Sequence, residues 1–178
     1  MEQRLWGKSN IFRSTAFYYF HKGSILQKIL HELKYNGNKE LGKMLGKIAA
    51  TEVIESNDFA SIDLIIPVPL HPNRMKSRGY NQSEWIAKGI ASILKVELNT
   101  NSLIRNVDNV SQTKKSRYDR HTNTDGIFSI NDINLFERKH VLLVDDIMTT
   151  GSTLIACSEL FKNIPGVRIS FFTLAIAD

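Results

Sequence analysis

Two short apolar runs that end abruptly constrain the fold of this chain more than any other feature. The runs IDLIIPVP (residues 62–69) and HVLLVDD (residues 140–146) contain several consecutive aliphatic residues, many of them β-branched. A strand that is apolar on both faces is typical of a parallel sheet covered by helices on both sides. Prolines end the first run, because proline cannot donate to a strand ladder, and two acids end the second. We therefore expect a parallel sheet that buries both runs.

Four other stretches have apolar residues at helical spacing, and the run VRISFFTLAIA (residues 167–177) predicts a last strand. Ser24 and Asn81 are the predicted N-caps of the first and third helices. Glu84 would complete an approximate capping box, and Gly37 ends the first helix. The inward positions predicted for the four helices are Leu26, Ile29, Leu30 and Leu33; Leu41, Met44, Leu45 and Ile48; Trp85, Ile86, Ile90, Ile93 and Leu94; and Leu154, Cys157, Leu160 and Phe161. Strands and helices alternate, which predicts an α/β fold with a twisted parallel sheet flanked by helices.

The length of 178 residues predicts a single domain, with an N-terminal arm and helices at residues 1–58 and an α/β core at residues 59–178. No apolar run approaches the roughly 20 residues of a membrane helix. The first residues carry charges and no secretory apolar segment. The lone Cys157 excludes an intramolecular disulfide and a cysteine-cluster zinc site within these residues. Together these features predict a cytoplasmic protein.

The second apolar run continues into a turn with the sequence TTGST, residues 149–153. Ligands of open parallel sheets bind outside the carboxyl ends of strands, which is where Asp145 and Asp146 lie. Gly151 allows a ligand to approach the backbone, and the first amides of the following helix favour a phosphate. Carboxylates repel phosphate, so the acids suit a different group, such as sugar hydroxyls or hydrated magnesium. A ribose 5-phosphate satisfies both halves.

Two other classes of protein place acids after an apolar strand, namely Walker B nucleotide-binding proteins and phospho-acceptor receiver domains. A Walker B segment requires a phosphate loop elsewhere in the chain. The nearest candidate, GNKELGKM from Gly37, has Met44 where serine or threonine is needed. A receiver domain does not need a glycine-threonine turn directly after its acids. The ribose-phosphate interpretation is therefore favoured.

Residues 141–153, VLLVDDIMTTGST, resemble the phosphoribosyl pyrophosphate (PRPP) signature of type I phosphoribosyltransferases. The resemblance implies the fold of that family, with a small N-terminal helical hood and a mobile flap. It implies that Asp145 and Asp146 hold the ribose hydroxyls, and that magnesium is carried by PRPP near these acids without a direct protein ligand. It assigns the 5-phosphate to Thr149, Thr150, Gly151, Ser152 and Thr153.

The similarity covers essentially the whole chain. Four segments resemble the ComF family, also called GntX-like, of phosphoribosyltransferase-like proteins. They are RLWG, LKYNGN, IIPVPLHPNRMKSRGYNQ and SQTKKSRYDRHTNTDGIF. Many members of that family begin with a cysteine-rich zinc module, which these residues lack. The resemblance places Arg74 and Arg78 in a pyrophosphate loop after the first core strand. It makes residues 106–125 the flap, whose closure brings in Lys114, Lys115 and Arg117.

The net charge of +5 and the pI near 9.3 indicate an anionic partner. The two basic segments, residues 73–82 and 111–121, lack apolar periodicity and are interpreted as loops. The family resemblance implies a link to natural competence, which makes single-stranded DNA and competence proteins candidate partners beside PRPP. Tyr80 and Tyr118 are the aromatic residues available for stacking on DNA bases.

Two functions follow from these observations. The first is an enzyme that transfers phosphoribosyl from PRPP to a nitrogen acceptor and releases pyrophosphate. The second is a non-catalytic protein that binds PRPP or single-stranded DNA and retains the ribose-phosphate site. No residue is an identifiable general base, and the sequence does not name the acceptor.

Overall fold

Strands and helices alternate along the described part of the chain. The computed structural model describes residue 1, residues 11–55, residue 59, residues 61–106 and residues 126–177. The strands are β1 (Arg13–Phe20), β2 (Leu64–Pro67), β3 (Glu97–Leu98), β4 (Leu103–Arg105), β5 (Phe128–Ile130), β6 (His140–Met148) and β7 (Arg168–Ala177). The α-helices are α1 (Ile25–Tyr35), α2 (Lys39–Glu55), α3 (Pro72–Arg78), α4 (Gln82–Leu94) and α5 (Ser152–Glu159). A short 3-10 helix, Asn134–Phe136, precedes β6.

The main sheet has five parallel strands in the order β1-β7-β6-β2-β3, and β4 and β5 form a separate antiparallel pair. This arrangement confirms the predicted parallel α/β fold. From β2 the chain continues to β3 on one side, whereas from β6 it continues to β7 on the other. The order of the strands therefore reverses between β2 and β6. In open α/β sheets, ligands bind outside the carboxyl ends of the strands beside such a reversal.

The two faces of the sheet bury two separate cores. In β2, Leu64 and Ile66 face one core and Ile65 faces the other, as a strand that is apolar on both faces requires. The first core includes Leu103, Phe128, Phe136, Leu154, Cys157 and Phe161, from the β4–β5 pair, the 3-10 helix, α5 and the turn after α5. The second core includes Leu26, Leu30, Leu33, Leu45, Ala49, Val53, Ile86 and Ile90, from α1, α2 and α4. Helices thus cover both faces.

The predicted N-caps are confirmed. The Ser24 hydroxyl accepts a hydrogen bond from the Gln27 amide at 3.3 Å, and the Asn81 side chain accepts one from the Ser83 amide at 3.2 Å. Glu84 does not complete a capping box, because its carboxylate pairs with the Lys88 ammonium at 2.6 Å.

The buried face of α2 differs from the prediction. Leu45 is buried, but Met44 is 56% exposed and Ile48 is also exposed. Helix α2 instead turns its small residues towards α4. A Cβ atom on Gly46 would lie 2.1 Å from the Ile86 carbonyl oxygen, and one on Gly89 would lie 2.2 Å from the Lys43 carbonyl oxygen. Glycine at both positions lets the two helix backbones approach closely, and an apolar pattern cannot indicate such a contact.

Strand β1 and helix α3 were not predicted from the sequence. Strand β1 pairs with β7 along its whole length, and its aromatic-rich sequence RSTAFYYF is typical of a strand. Helix α3 occupies most of the first basic segment, which the sequence pattern had suggested was a loop. Pro72 stands in its first turn and Gly79 ends it with a positive φ of 75°, both common boundary signals for a helix.

In the residues that the structure describes, no helix combines the length and the apolarity that crossing a membrane requires.

Candidate functional site

The carboxyl end of β6, in the middle of the sheet, carries the predicted site. Asp145 and Asp146 lie in the last part of β6, which continues to Met148. Gly151 has a φ of 80°, so the chain turns sharply there into α5. The Ile155 amide donates to the Gly151 carbonyl at 2.9 Å, which leaves the preceding amides of α5 without an intrahelical acceptor.

The turn between β6 and α5 is open to solvent. Thr149, Thr150 and Ser152 are exposed, whereas Gly151 is buried. The Thr150 and Ser152 hydroxyls lie 2.7 Å apart and hydrogen-bond each other. Hydroxyls and the first amides of α5 therefore lie at the same accessible turn, where the Ser152 amide donates to the Thr150 hydroxyl at 3.4 Å. This arrangement suits an oxyanion such as a phosphate monoester.

Asp145 lies in a site that opposes its ionisation. Its Oδ1 atom accepts hydrogen bonds from the Ser83 hydroxyl and from the Asp146 amide, both at 2.9 Å. Burial and the neighbouring Asp146 carboxylate nevertheless raise the pKa of Asp145 to about 7, against the lowering effect of these two hydrogen bonds and of Lys34. A carboxyl group with a strongly raised pKa beside an open turn is typical of a functional site.

Asp146 forms an ion pair with a residue of the N-terminal helices. The Lys34 ammonium, in the last turn of α1, lies 3.0 Å from Asp146 Oδ2. The two side chains are only 21% and 14% exposed. Helix α1 therefore reaches the carboxyl end of β6 and forms one side of the site.

The segment RGYNQS, residues 78–83, joins the parts of the site. The Asn81 amide group donates to the Val68 carbonyl at 2.9 Å, which ties the start of α4 to the chain leaving β2. The Ser83 hydroxyl, one turn into α4, donates to Asp145. Both residues are buried polar groups with their hydrogen bonds satisfied. The polar composition of this segment is thus explained by its contacts with β2 and β6.

The same segment also fixes α1. The Tyr80 hydroxyl donates to the Leu33 carbonyl, and the Tyr80 side chain is only 4% exposed. The prediction that Tyr80 is available for stacking on DNA bases is therefore wrong. Desolvation is the main reason that the pKa of Tyr80 is raised above its usual value.

The basic residues predicted for the pyrophosphate loop lie on α3, after the carboxyl end of β2. Arg78 is half-buried, donates to Gln82 Oε1 at 2.9 Å and lies over the ring of Tyr35 at 5.5 Å. Arg74 is exposed. The described residues do not include the predicted flap residues Lys114, Lys115 and Arg117, and they do not include Tyr118.

Sequence reasoning missed two residues that contact the acids, Lys34 and Ser83. Lys34 belongs to LKYNGN, and Ser83 directly follows IIPVPLHPNRMKSRGYNQ, but no chemistry in these two segments indicates a contact with β6. Only the packing of α1 and α4 on the sheet brings them to the acids. Among the described residues, no cluster of three or more histidine, cysteine, aspartate or glutamate side chains is arranged to hold a metal ion.

Comparison with known proteins agrees with this geometry. The family described as "Phosphoribosyl transferase domain" matches residues 81–176. Competence protein F of Haemophilus influenzae is 31% identical over 155 residues, which cover 86% of this chain and 67% of that protein. DNA utilization protein YhgH of Escherichia coli (strain K12) is 26% identical over 138 residues, 76% of this chain and 60% of that protein. Competence protein ComFC of Bacillus subtilis is 28% identical over 156 residues, 84% of this chain and 59% of that protein.

The family match contains the acid pair, the turn and the Ser83 hydroxyl that contacts Asp145. The similarity to the three relatives extends over most of the chain, although it spans only about three fifths of the length of two of them. The chain therefore belongs to the phosphoribosyltransferase family, as a ComF-like member.

Proposed function

We propose that this protein binds PRPP at the carboxyl end of β6 and transfers its phosphoribosyl group to a nitrogen acceptor. One observation carries the proposal: a half-buried acid pair is followed directly by an exposed hydroxyl-rich turn at the start of a helix. In this arrangement Asp145 and Asp146 accept hydrogen bonds from the ribose hydroxyls. The turn of residues 149–153 binds the 5-phosphate through its hydroxyls and the first amides of α5.

The proposed reaction is a displacement at the anomeric carbon of the ribose. The acceptor nitrogen forms a bond to that carbon, the bond to the pyrophosphate oxygen breaks, and pyrophosphate leaves. The transition state resembles an oxocarbenium ion, so positive charge develops on the sugar. Positioning of the two reactants and stabilisation of charge therefore account for the catalysis, without a protein nucleophile.

The acid pair fits a magnesium ion carried by the substrate. Magnesium prefers oxygen ligands and retains several waters, which carboxylates can hold by hydrogen bonds. Among the described residues, Asp145 Oδ2 has no hydrogen-bond partner, so an oxygen of one acid is available for such a contact. When bound, the ion would neutralise charge on the pyrophosphate group. The protein would orient that group through Asp145 and Asp146.

The basic residues supply the remaining charge in this proposal. Arg74 and Arg78 would approach the pyrophosphate from α3, since arginine suits bidentate contacts with phosphate. Lys114, Lys115 and Arg117 would reach the substrate when residues 106–125 close over it as a flap and exclude water.

We further infer a role connected with DNA, because the relatives carry names that refer to competence and to DNA utilization. Single-stranded DNA and proteins of the competence machinery are the partners that this role suggests. A purely DNA-binding function is the weaker alternative, because Tyr80 is buried and offers no face for base stacking.

The first test of the proposal is PRPP binding, measured by calorimetry with magnesium. We expect wild-type protein to bind, and the double variant Asp145→Asn with Asp146→Asn to lose at least about 100-fold in affinity, because hydrogen bonds to charged groups are worth roughly 1.5–3 kcal/mol each. Glu137→Gln is the matched control, since it also converts an acid to an amide but at an exposed position away from the site. Unchanged affinity in the double variant would show that the site is assigned wrongly.

The second test separates transfer from binding alone. Pyrophosphate release is measured with PRPP, magnesium and a panel of nucleobases and amines. Release with one acceptor supports the enzyme, whereas tight PRPP binding without release for any acceptor supports the non-catalytic alternative.

A further inference from the structure

The last turn of α1 contacts three different parts of the site. Lys34 pairs with Asp146 of β6, and the carbonyl of Leu33 accepts the Tyr80 hydroxyl. The ring of Tyr35 lies under the Arg78 guanidinium at 5.5 Å. Three consecutive residues are thus held against β6, α3 and the short segment between α3 and α4. This end of α1 has a fixed position relative to the acid pair.

The Lys34–Asp146 ion pair differs from an ordinary surface pair. A basic residue in the last turn of a helix is common, because it favours the negative end of the helix dipole. The Lys34 ammonium, however, extends to β6 and is mostly shielded from solvent there. By contrast, the Lys162–Glu159 pair is longer, at 3.7 Å, and its lysine side chain is 66% exposed. An exposed pair of that kind contributes little, whereas a shielded pair is screened much less.

Lys34 offsets part of the negative charge that the acid pair places at the site. Two adjacent carboxylates repel each other and also repel the phosphates of PRPP. A cation 3.0 Å from Asp146 offsets one of these charges. Lys34 pairs with Oδ2, and among the described residues Asp146 Oδ1 has no hydrogen-bond partner. Asp146 can therefore keep its ion pair while its other oxygen accepts a sugar hydroxyl.

We propose that Lys34 is a positioning residue for PRPP binding, which orients Asp146 for the ribose and offsets the negative charge of the acid pair. This inference rests on the proposed function. It makes α1 a functional part of the site, although α1 lies outside the segment matched to the family. Lys34 acts through Asp146, and we assign it no contact with the reacting atoms.

The test compares three variants of α1 by calorimetry with PRPP and magnesium. We expect Lys34→Gln to weaken PRPP binding by about tenfold or more, because the charged hydrogen bond that orients Asp146 is lost. Lys34→Arg should retain affinity to within about threefold, since the cation is kept. Lys28→Gln makes the same charge change at an exposed position of the same helix and should change affinity by less than about twofold.

A second readout separates positioning from a merely structural role. Lys34 lowers the pKa of Asp145, so Lys34→Gln should shift the pH dependence of PRPP binding to higher pH, and Lys34→Arg should restore it. Urea unfolding establishes that the variants are folded. Wild-type affinity in Lys34→Gln, equal losses in the Lys34→Gln and Lys28→Gln variants, or an unshifted pH dependence would each overturn the inference. Failure of the wild type to bind PRPP would instead contradict the proposed function, and this inference with it.

Discussion

Asp145 combines two requirements that conflict. A carboxyl group accepts hydrogen bonds from hydroxyls most strongly when it is ionised, yet burial and Asp146 raise the pKa of Asp145 to about 7. Its hydrogen bonds from Ser83 and from the Asp146 amide limit this rise, because they stabilise the ionised form. The protonation of a single residue should therefore control ligand binding near neutral pH.

The affinity for PRPP is expected to rise with pH. Below pH 7 Asp145 is mostly protonated, so binding of a sugar hydroxyl or a magnesium ion must displace a proton. Above pH 7 the carboxylate is already ionised and no such cost remains. A group with a pKa of about 7 predicts an increase in affinity of about tenfold between pH 6 and pH 8. Calorimetry in buffers of different ionisation enthalpy measures the affinity and the proton release together.

Ser83→Ala provides the control for this prediction. PRPP has titratable phosphates of its own, but their pKa values do not depend on Ser83. Removing the Ser83 hydroxyl removes a hydrogen bond to ionised Asp145, so its pKa should rise further and the increase in affinity should move to higher pH. An identical pH dependence in wild type and Ser83→Ala would contradict the role given to Asp145.

Among individual residues, the sequence predicted those site residues that lie next to one another in the chain. One strand-to-helix junction contains Asp145, Asp146 and the turn of residues 149–153. The side chains that define its chemistry all lie within the thirteen residues 141–153. Lys34 and Ser83 contact the acids only because two helices pack against the end of β6. Contacts of this kind depend on tertiary structure, which periodicity does not encode.

The contact between α2 and α4 is the clearest example at the scale of elements. An apolar stripe predicted that Met44 and Ile48 face inward, whereas glycines and alanines form much of the buried face. Small residues carry little hydrophobic signal, although they allow the closest approach of two backbones. Since α4 carries Ser83 and packs next to α1, this contact also supports the site.

Gly46→Ala is expected to destabilise the protein. Alanine favours a helix over glycine by about 1 kcal/mol, but its Cβ would lie 2.1 Å from the Ile86 carbonyl oxygen. The two backbones must separate, so we expect a net loss of at least about 2 kcal/mol in the free energy of unfolding, measured in urea. Met44→Ala, at a 56% exposed position of the same helix, should change this free energy by no more than about 0.5 kcal/mol. Equal effects in both variants would contradict the assigned packing.

At the scale of the whole molecule, the first and last strands of the described chain pair with each other at one edge of the main sheet. Strand β1 pairs with β7, and in the part of the chain that the structure describes no strand covers the other side of β1. The Phe12 amide donates to the Ile169 carbonyl at 2.7 Å. Because donors alternate along a parallel strand, the Ala16 amide also faces β7, whereas the Thr15 amide faces the open side.

Proline substitutions test this pairing. Ala16→Pro removes a donor to β7 and should lower the free energy of unfolding by about 1–3 kcal/mol more than Thr15→Pro, which removes a donor on the open side. Both substitutions restrict the backbone similarly, so their difference in urea unfolding isolates the hydrogen bond. Equal destabilisation, or a greater effect of Thr15→Pro, would contradict the register of β1 on β7.

The architecture of the whole molecule was predictable because β2, β6 and β7 are continuous apolar strands separated by helices. Strand β1 was missed because it is an edge strand in which buried and exposed residues mix without clear alternation. Helix α3 was missed because it is short and has no buried residue to create an apolar pattern. The roles of residues 106–125 and of the basic residues within them remain predictions.

A crystal structure of the protein with PRPP and magnesium would locate the ligand relative to β6 and α5. We expect the 5-phosphate within hydrogen-bond distance of the hydroxyls and amides of residues 149–153, and ribose hydroxyls on the carboxylates of Asp145 and Asp146. Lys34 should remain paired with Asp146. A phosphate bound away from the start of α5, or a ribose that contacts neither acid, would contradict the proposed site.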